Sequence, residues 1–567
     1  MTRGSRIAFV CGAAVLTVAA VVQLAQVAGP TVDVQLLAIN DFHGALEPGA
    51  GANGRIGSTD AGGVEYLATH VAGLKATNPN TVVVSAGDNI GGTPVLSSLF
   101  HDEPSIEALN LAGLQLSALG NHDLDEGWWE LYRMQKGGCH PVDGCQDGTP
   151  FTGAAFTYLA ANVTLDPRRA DPKAVALAGV QGTDARSLLP AYTIREVGGV
   201  RIGFIGLILQ AAPSFIIPAN VVGLIFAPEA EAANRAARAL REQGVRAIVV
   251  LMHEGGLPAA GDINACDGMS RDLVNLVTRM SSDIDVIVTG HSHQAYNCTI
   301  DGKLVTSAAS NGRVLTDIDV RIQRSDGEVV AKSARNVVVT RDVPKAPALS
   351  DLIARYLPVA DKVGGRVVGT VATSLLRAAT EAGEMPLGDV IADAFLAAAN
   401  AAPGGGAELA FTNPGSIRAD VVASAPTGPS EVTYAQLFAV MPFGNDLIVK
   451  SLTGEVLLLA LEQQFGADRT RIMQVSDGFT YAYDPDRPHG ERIDRSSVRV
   501  NGAPLDPARR YRVATNSFLW GGGDGLEALR MGTDEVTVGV DVDALVDYIS
   551  SHSPVRPGPQ NRIRRTR

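Results

Sequence analysis

The chain has 567 residues, enough for two or more domains of ordinary size. Hydrophobic residues make up 46% and charged residues 19%, which supports large packed cores and excludes a disordered chain; aromatics at 5% leave those cores to Ala, Val, Leu and Ile. A net charge of −13 with no long basic run argues against a nucleic-acid polymer as partner, although a local metal site would still let an acidic protein hold a phosphorylated small molecule.

The N-terminus carries Arg3 and Arg6 and then no charge from Ile7 to Pro30. Residues 1–29 read as a secretory signal, with small residues Ala25, Val27 and Ala28 suited to cleavage. The apolar run is also long enough for a retained membrane anchor, which would give membrane association. Either way the chain is expected to be exported, secreted or held at the cell envelope. Beyond Cys11, which lies within the apolar run, there remain Cys139, Cys145, Cys266 and Cys298. An even count in an exported chain suggests disulfides. Of three connectivities, Cys139–Cys145 with Cys266–Cys298 is favoured, because the first pair closes a short loop. No CxxC spacing supports a zinc cluster.

From about residue 33 the runs VDVQLLAIND, TVVVSAGDN, VRAIVVLMHEGG and IDVIVTGHSH are each apolar, β-branched and cut off at a polar cluster. Such runs read as strands buried on both faces. PEAEAANRAARALREQG has helical spacing and a Gly stop just before one of them, which is an α/β order. LSDLIARYLPVADKV predicts a connecting helix within 343–365. From about 365 the chain carries Ala/Leu helices such as GDVIADAFLAAANAA and LTGEVLLLALEQQF between Gly- and Asn-rich loops, a second α/β domain. The basic end, residues 554–567, reads as a solvated disordered tail.

The strand ends hold the chemistry. They deliver Asn40, Asp41 and His43; Asp88 and Asn89; Asn121, His122, Asp123 and Asp125; His253 and Glu254; and His291 and His293. In open α/β sheets ligands collect at the carboxyl ends of strands, so these clusters should converge on one crevice. Mixed carboxylate, imidazole and amide donors suit Mn, Zn, Fe or Co without selecting one.

DFH, GDN, GNHD, a strand-terminal HE and GHSH, in this order, resemble the five blocks of the calcineurin-like dimetal phosphoesterases. The resemblance implies one divalent ion held by Asp41, His43 and His293, a second held by Asn121, His253 and His291, and Asp88 bridging them. His293 stands where some nucleotidases of the superfamily carry Gln. It further implies that His122 donates to the phosphate or leaving group and that Asp125 orients it, with Asp123 the less favoured partner; Asp125 as N-cap of the helix at GWWELYRM is the alternative. Two ions about 3.5–4 Å apart would clamp a phosphate and supply metal-bound hydroxide for in-line attack on phosphorus.

In the second domain AFTNPGSIRAD offers Asn413, Gly415 and Arg418, VMPFGNDL offers Phe443 and Asn445, and ATNSFLWGGGDGL offers Phe518 and Asp524. An arginine fork suits phosphate, two aromatics can sandwich a base, and a carboxylate can accept both ribose hydroxyls. These blocks resemble the C-terminal domain of the 5′-nucleotidase family, and the domain order matches. The resemblance assigns Phe443 and Phe518 to the base, Asp524 to the ribose, and Arg418 and Asn413 to phosphate or sugar. A second phosphate-binding Arg of some members falls near Asp389 here; Arg377 is a substitute without a spacing argument. The fold class implied is α/β: a four-layer α/β/β/α metallophosphoesterase domain (32–342), a helical linker (343–365) that serves as a hinge, and an α/β substrate-binding domain (366–553). The function implied is an exported 5′-nucleotidase acting on nucleoside 5′-monophosphates. A 2′,3′-cyclic-nucleotide phosphodiesterase or UDP-sugar hydrolase would use the same site. An exported nucleotide-binding or surface-interaction protein is the non-enzyme reading.

Overall fold

Two six-stranded sheets form the centre of the first domain in the computed structural model, which describes residue 1 and residues 29–566 except 260, 425–427 and 467–469. The signal-or-anchor segment therefore falls outside the described residues. Among those described, no helix is long and apolar enough to cross a membrane.

The first sheet runs in the order Val329–Val338, Val314–Gln323, Thr31–Ile39, Thr81–Ser85, Leu116–Ala118, Thr157–Leu159. Thr31–Ile39 pairs parallel with Thr81–Ser85 and antiparallel with Val314–Gln323. The second sheet runs Ala295–Ile300, Lys303–Ala308, Val286–Thr289, Ala247–His253, Val200–Ile208, Tyr192–Val197, with its four middle strands parallel. Val82, Val83 and Val84 are all buried, because one face of their strand meets helices and the other meets the second sheet. The seam between the sheets is packed with Leu36, Val84, Phe204, Val249, Leu251 and Val288. Helices Val64–Lys75 and Glu103–Ala112 cover the outer face of the first sheet, and Glu229–Glu242 with Arg271–Thr278 cover the second. This is the four-layer arrangement. Cys139 is bonded to Cys145 and Cys266 to Cys298, the favoured pairing.

Helix Pro347–Gly364 follows. It is seated on the first domain rather than held free: Leu349, Leu352, Ile353 and Tyr356 bury into the core beside Phe100, and Arg355 pairs with Glu107. The second domain has a five-stranded mixed sheet, ordered Gln474–Val475, Leu409–Thr412, Arg510–Asn516, Asp446–Thr453, Thr533–Val540. Helices Pro386–Ala401 and Asp541–Ser551 pack on one face and Gly454–Gln463 on the other.

The basic end corrects the expectation of a disordered tail. Strand Ile563–Arg565 pairs parallel with Phe479–Tyr483, and Arg562 is buried against Asp393 and within reach of Asp389. Counting arginines misses this, because buried Asp389 and Glu384 and half-buried Asp393 need a cation and backbone donors, and the end of the chain supplies both.

Candidate active site

The five clusters meet at one end of the two sheets. Asp41, His43, Asp88 and His253 are almost completely buried, and Asn121 with them; His291 and His293 lie nearer the surface. Five of these residues take a left-handed backbone: Asp41, His43, Asp88, His291 and His293 have φ of 49, 46, 53, 66 and 57°. That conformation costs of order 1 kcal/mol per residue, and surrounding contacts must hold it. Here the His43 N–H donates to the Asp88 carbonyl (3.1 Å), the Asp41 N–H to the Gly87 carbonyl (3.0 Å), and the His291 N–H to the Asp41 carboxylate (3.0 Å). The sharp turns point successive side chains into one hollow.

Two groups of donor atoms result. In the first, His43 Nε2 lies 3.2 Å from His293 Nε2 and 4.0 Å from Asp41 Oδ1, and His293 Nε2 lies 3.3 Å from the same oxygen. In the second, Asn121 Oδ1 lies 3.1 Å from His253 Nε2 and 3.0 Å from His291 Nδ1. Asp88 Oδ2 stands between them, 3.0 Å from His253 Nε2 and 3.7 Å from His43 Nε2. His43 donates from Nδ1 to the Gly91 carbonyl and His253 from Nδ1 to the Ala86 carbonyl, both at 2.8 Å. Those backbone partners fix the rings with Nε2 facing inward. Each Nε2 thus faces other acceptors: a carboxylate, an amide oxygen or another ring nitrogen. So many acceptors buried around one point require cations, and the donor set fits divalent transition metals.

Gly120 has no room for a side chain. A Cβ there would stand 2.1 Å from Asp88 Oδ1. Beside it, Asp123 accepts backbone N–H groups from Gly120 (2.8 Å), Asp88 (3.1 Å), Asn89 (3.1 Å) and Ile90 (3.3 Å), tying the two loops together. His122 Nδ1 meets Asp125 Oδ2 at 2.8 Å, which leaves Nε2 for the cavity. Burial opposes protonation of His122, but the Asp125 and Asp88 carboxylates outweigh it and raise its pKa. The N-cap of helix Trp128–Lys136 is Gly127, so Asp125 is not a cap.

The second domain closes over this floor. A cavity of about 330 Å³ is lined by Asp88, Asn121, His122, His291 and His293 from below and by Asn413, Gly415, Arg418, Phe443, Asn445, Phe518 and Asp524 from above. Arg418 Nη2 reaches within 3.2 Å of His43 Nε2, and the Phe443 ring stacks near His122 with centroids 5.4 Å apart. Arg418 also lies over Phe443, 5.7 Å from its centroid. Asn413 donates to Asp524 Oδ2 at 2.7 Å, and Asn445 donates to the buried Asp541 at 3.1 Å. Arg377 is not part of the lining. It donates to the Arg418 carbonyl (3.0 Å) and to Asn53 (2.5 Å) across the domain boundary. Asp389 is remote, bonded to Gln560. Sequence reading missed Phe215, which meets His291 edge-on at 4.9 Å and enters the lining from the loop after Val200–Ile208. Its only signal is an apolar stretch, APSFIIP, where a polar loop is expected.

A family model of the calcineurin-like phosphoesterases matches residues 34–295, and one of the 5′-nucleotidase C-terminal domain matches 367–531. The cell wall protein Lmo0130 of Listeria monocytogenes is 31% identical over 558 residues, covering 93% of this chain and 68% of the relative. The chain belongs to the 5′-nucleotidase family of calcineurin-like phosphoesterases. The endonuclease YhcR of Bacillus subtilis is also 31% identical and covers 94% of the chain, but the chain spans only 41% of YhcR. Among solved structures, a 5′-nucleotidase precursor from Thermus thermophilus aligns with a TM-score of 0.76 at 26% identity, covering 94% of this chain and 99% of the other. Like its family, the protein is a phosphoric ester hydrolase that uses two divalent metal ions.

Proposed function

We propose that this member of the 5′-nucleotidase family is an exported enzyme that hydrolyses nucleoside 5′-monophosphates to nucleoside and phosphate. The observation that carries this is the meeting of Arg418 and Phe443 with His43 and His122 in one cavity. A phosphate-binding fork and a stacking ring there stand directly over the metal-ligating floor. Export is supported by the uncharged N-terminal run, the two disulfides and the name of the Listeria relative.

Asp41, His43 and His293 would hold one ion and Asn121, His253 and His291 the other, with Asp88 shared. When bound, such a pair would supply Lewis-acid polarisation of a phosphoryl group and would lower the pKa of water. The remaining work falls to the chain. Arg418 offers two N–H groups to phosphate oxygens and neutralises charge developing there. Its backbone is held from behind by Arg377 and Asn53. Asp125 keeps the proton of His122 Nδ1 engaged, so Nε2 is the atom that delivers a proton to the departing ribose oxygen. Phe443 and Phe518 take the base between them, and Asp524 accepts from the ribose hydroxyls while Asn413 fixes its orientation.

The test is hydrolysis by the purified protein, with Mn²⁺, Zn²⁺ or chelator, of a panel of mono-, di-, cyclic and sugar nucleotides, alongside p-nitrophenyl phosphate. Nucleoside monophosphates should give the highest kcat/KM, and chelation should abolish it. Phe443→Ala should lose about 1–3 kcal/mol of base stacking, raising KM for nucleotides about 5–150-fold while sparing p-nitrophenyl phosphate. Preference for a cyclic or sugar nucleotide, or equal loss on both substrate types, overturns the assignment.

A further inference from the structure

One end of the second domain's sheet places a buried carboxylate behind a residue of the cavity wall. Strand Asp446–Thr453 pairs antiparallel with Thr533–Val540, with Asp446 opposite Val540, so the next residues outward, Asn445 and Asp541, also meet. The Asp541 N–H donates to the Asn445 carbonyl at 2.9 Å, and Asn445 Nδ2 donates to Asp541 Oδ2 at 3.1 Å. Asp541 opens helix Asp541–Ser551 and is 1% exposed; its other oxygen, Oδ1, accepts the Val542 N–H at 2.7 Å. Asn445 lines the cavity, as does Phe443 two residues earlier.

These bonds fix which end of the Asn445 amide faces a substrate. An ionised carboxylate only accepts, so Asp541 draws the NH2 end toward itself. The carbonyl end, Oδ1, is left for the cavity. A base with an N–H donor on its edge satisfies an acceptor there. A base without one strands it, and a stranded, desolvated acceptor costs more than an ordinary hydrogen bond gains.

We propose that Asp541 is a positioning residue for base recognition: by holding the Asn445 amide with its oxygen toward the cavity, it selects nucleotides whose base presents an N–H donor, such as the amino group of adenine or cytosine. The inference rests on the reading of this cavity as a nucleotide site with the base beside Phe443. Replacing the carboxylate by an amide reverses the preference. In Asp541→Asn the Val542 N–H still requires an acceptor, so the new amide keeps its oxygen there and turns its NH2 to Asn445. The Asn445 amide must then turn over and show its own NH2 to the cavity, where it suits a base that carries acceptors only.

The experiment compares kcat/KM for adenosine 5′-monophosphate and purine riboside 5′-monophosphate, which lacks the amino group and has no N–H donor on its base. Burial, with Asp543 adding to it, pushes the Asp541 carboxyl up to about 7 against the hydrogen bonds from Asn445 and Val542, so the assay is run at about pH 8.5, where Asp541 is ionised. Wild type should favour the adenine nucleotide about 5–150-fold, carried in KM rather than in kcat. Asp541→Asn should bring the ratio below 1, an inversion that a merely structural aspartate does not produce. Each ratio compares two substrates on one preparation, so loss of folded or metal-loaded protein cancels. If Asp541→Asn does not fold, Asn445→Ala decides alone and should bring the ratio to about 1. A wild-type ratio near 1, an Asp541→Asn ratio that does not fall below 1, or the wild-type ratio kept in Asn445→Ala overturns the proposal. Hydrolysis of p-nitrophenyl phosphate with neither nucleotide cleaved overturns instead the nucleotide reading beneath it.

Discussion

Replacing His122 by alanine isolates the proton that leaves with the ribose oxygen. The ring meets His43 edge-on with centroids 5.1 Å apart but offers no atom to either group of ligand donors; its Nδ1 is spent on Asp125 at 2.8 Å, and its backbone N–H donates to Asp88 at 2.8 Å whatever the side chain. His122→Ala should therefore leave both ions bound and lower kcat on a nucleoside monophosphate by about 10²–10⁴-fold, the usual worth of a general acid. Asp125→Asn removes one charge-assisted hydrogen bond, worth about 1.5–3 kcal/mol, so kcat should fall about 10–150-fold. The two side chains act as a unit. The double variant should then resemble His122→Ala alone, not the product of the single effects. Substrate chemistry supplies the control: p-nitrophenolate leaves without protonation, so the loss in His122→Ala should shrink sharply on p-nitrophenyl phosphate. The assay is steady-state kinetics on both substrates with metal content measured in parallel. Full activity of His122→Ala on nucleotides, or an equal loss on both leaving groups, refutes the proton-donor role.

Gly120→Ala tests the close packing beneath the shared aspartate. The added methyl would stand 2.1 Å from Asp88 Oδ1 and 2.3 Å from its backbone nitrogen, so the loop must shift. Metal content should fall and activity drop by about 100-fold or more while the far-ultraviolet circular dichroism stays unchanged; normal metal content would contradict the placement of Asp88. Far from the site, burial raises the Asp285 carboxyl to about 6, against an ordinary 3.8, outweighing the Ile248 N–H at 3.1 Å and Lys332 at 3.7 Å. The folded state thus holds that proton more tightly than the unfolded chain does. Its contribution to stability is greatest below 3.8, falls as pH rises through about 6, and levels off above at a cost of about 3 kcal/mol. Asp285→Asn escapes that cost, so its urea midpoint should exceed wild type by more at about pH 7.5 than at about pH 5; a pH-independent difference would remove burial as the cause.

Much of this architecture is legible in the sequence because the site sits where strands stop. A run such as TVVVS must be covered on both faces, and the polar residues that follow it can only stand at the sheet's end. That reasoning brings Asp41, Asp88, Asn121, His253 and His291 together with no contact known in advance. The second domain's residues are legible for a different reason: Arg418 and Phe518 come shortly after the apolar strands Leu409–Thr412 and Arg510–Asn516, while Phe443, expected after a strand, follows helix Tyr434–Val440 and precedes strand Asp446–Thr453. What stays hidden depends on partners distant in sequence. The antiparallel strands Val314–Gln323 and Val329–Val338 complete the first sheet from the far end of the domain. Phe215 is apolar and reads as core until His291 is seen against it. The C-terminal arginines look solvated until Arg562 is seen paired with Asp393, 169 residues away, and beside the buried Asp389.

Anomalous diffraction from crystals of the metal-loaded protein, recorded at the absorption edge of the bound metal, tests the shared-aspartate centre most directly. Two peaks about 3.5–4 Å apart, both contacting the Asp88 carboxylate, one beside His43 and His293 and the other beside His253 and His291, are the predicted result. A single peak at the floor, or a pair whose ligands exclude Asp88, would contradict it.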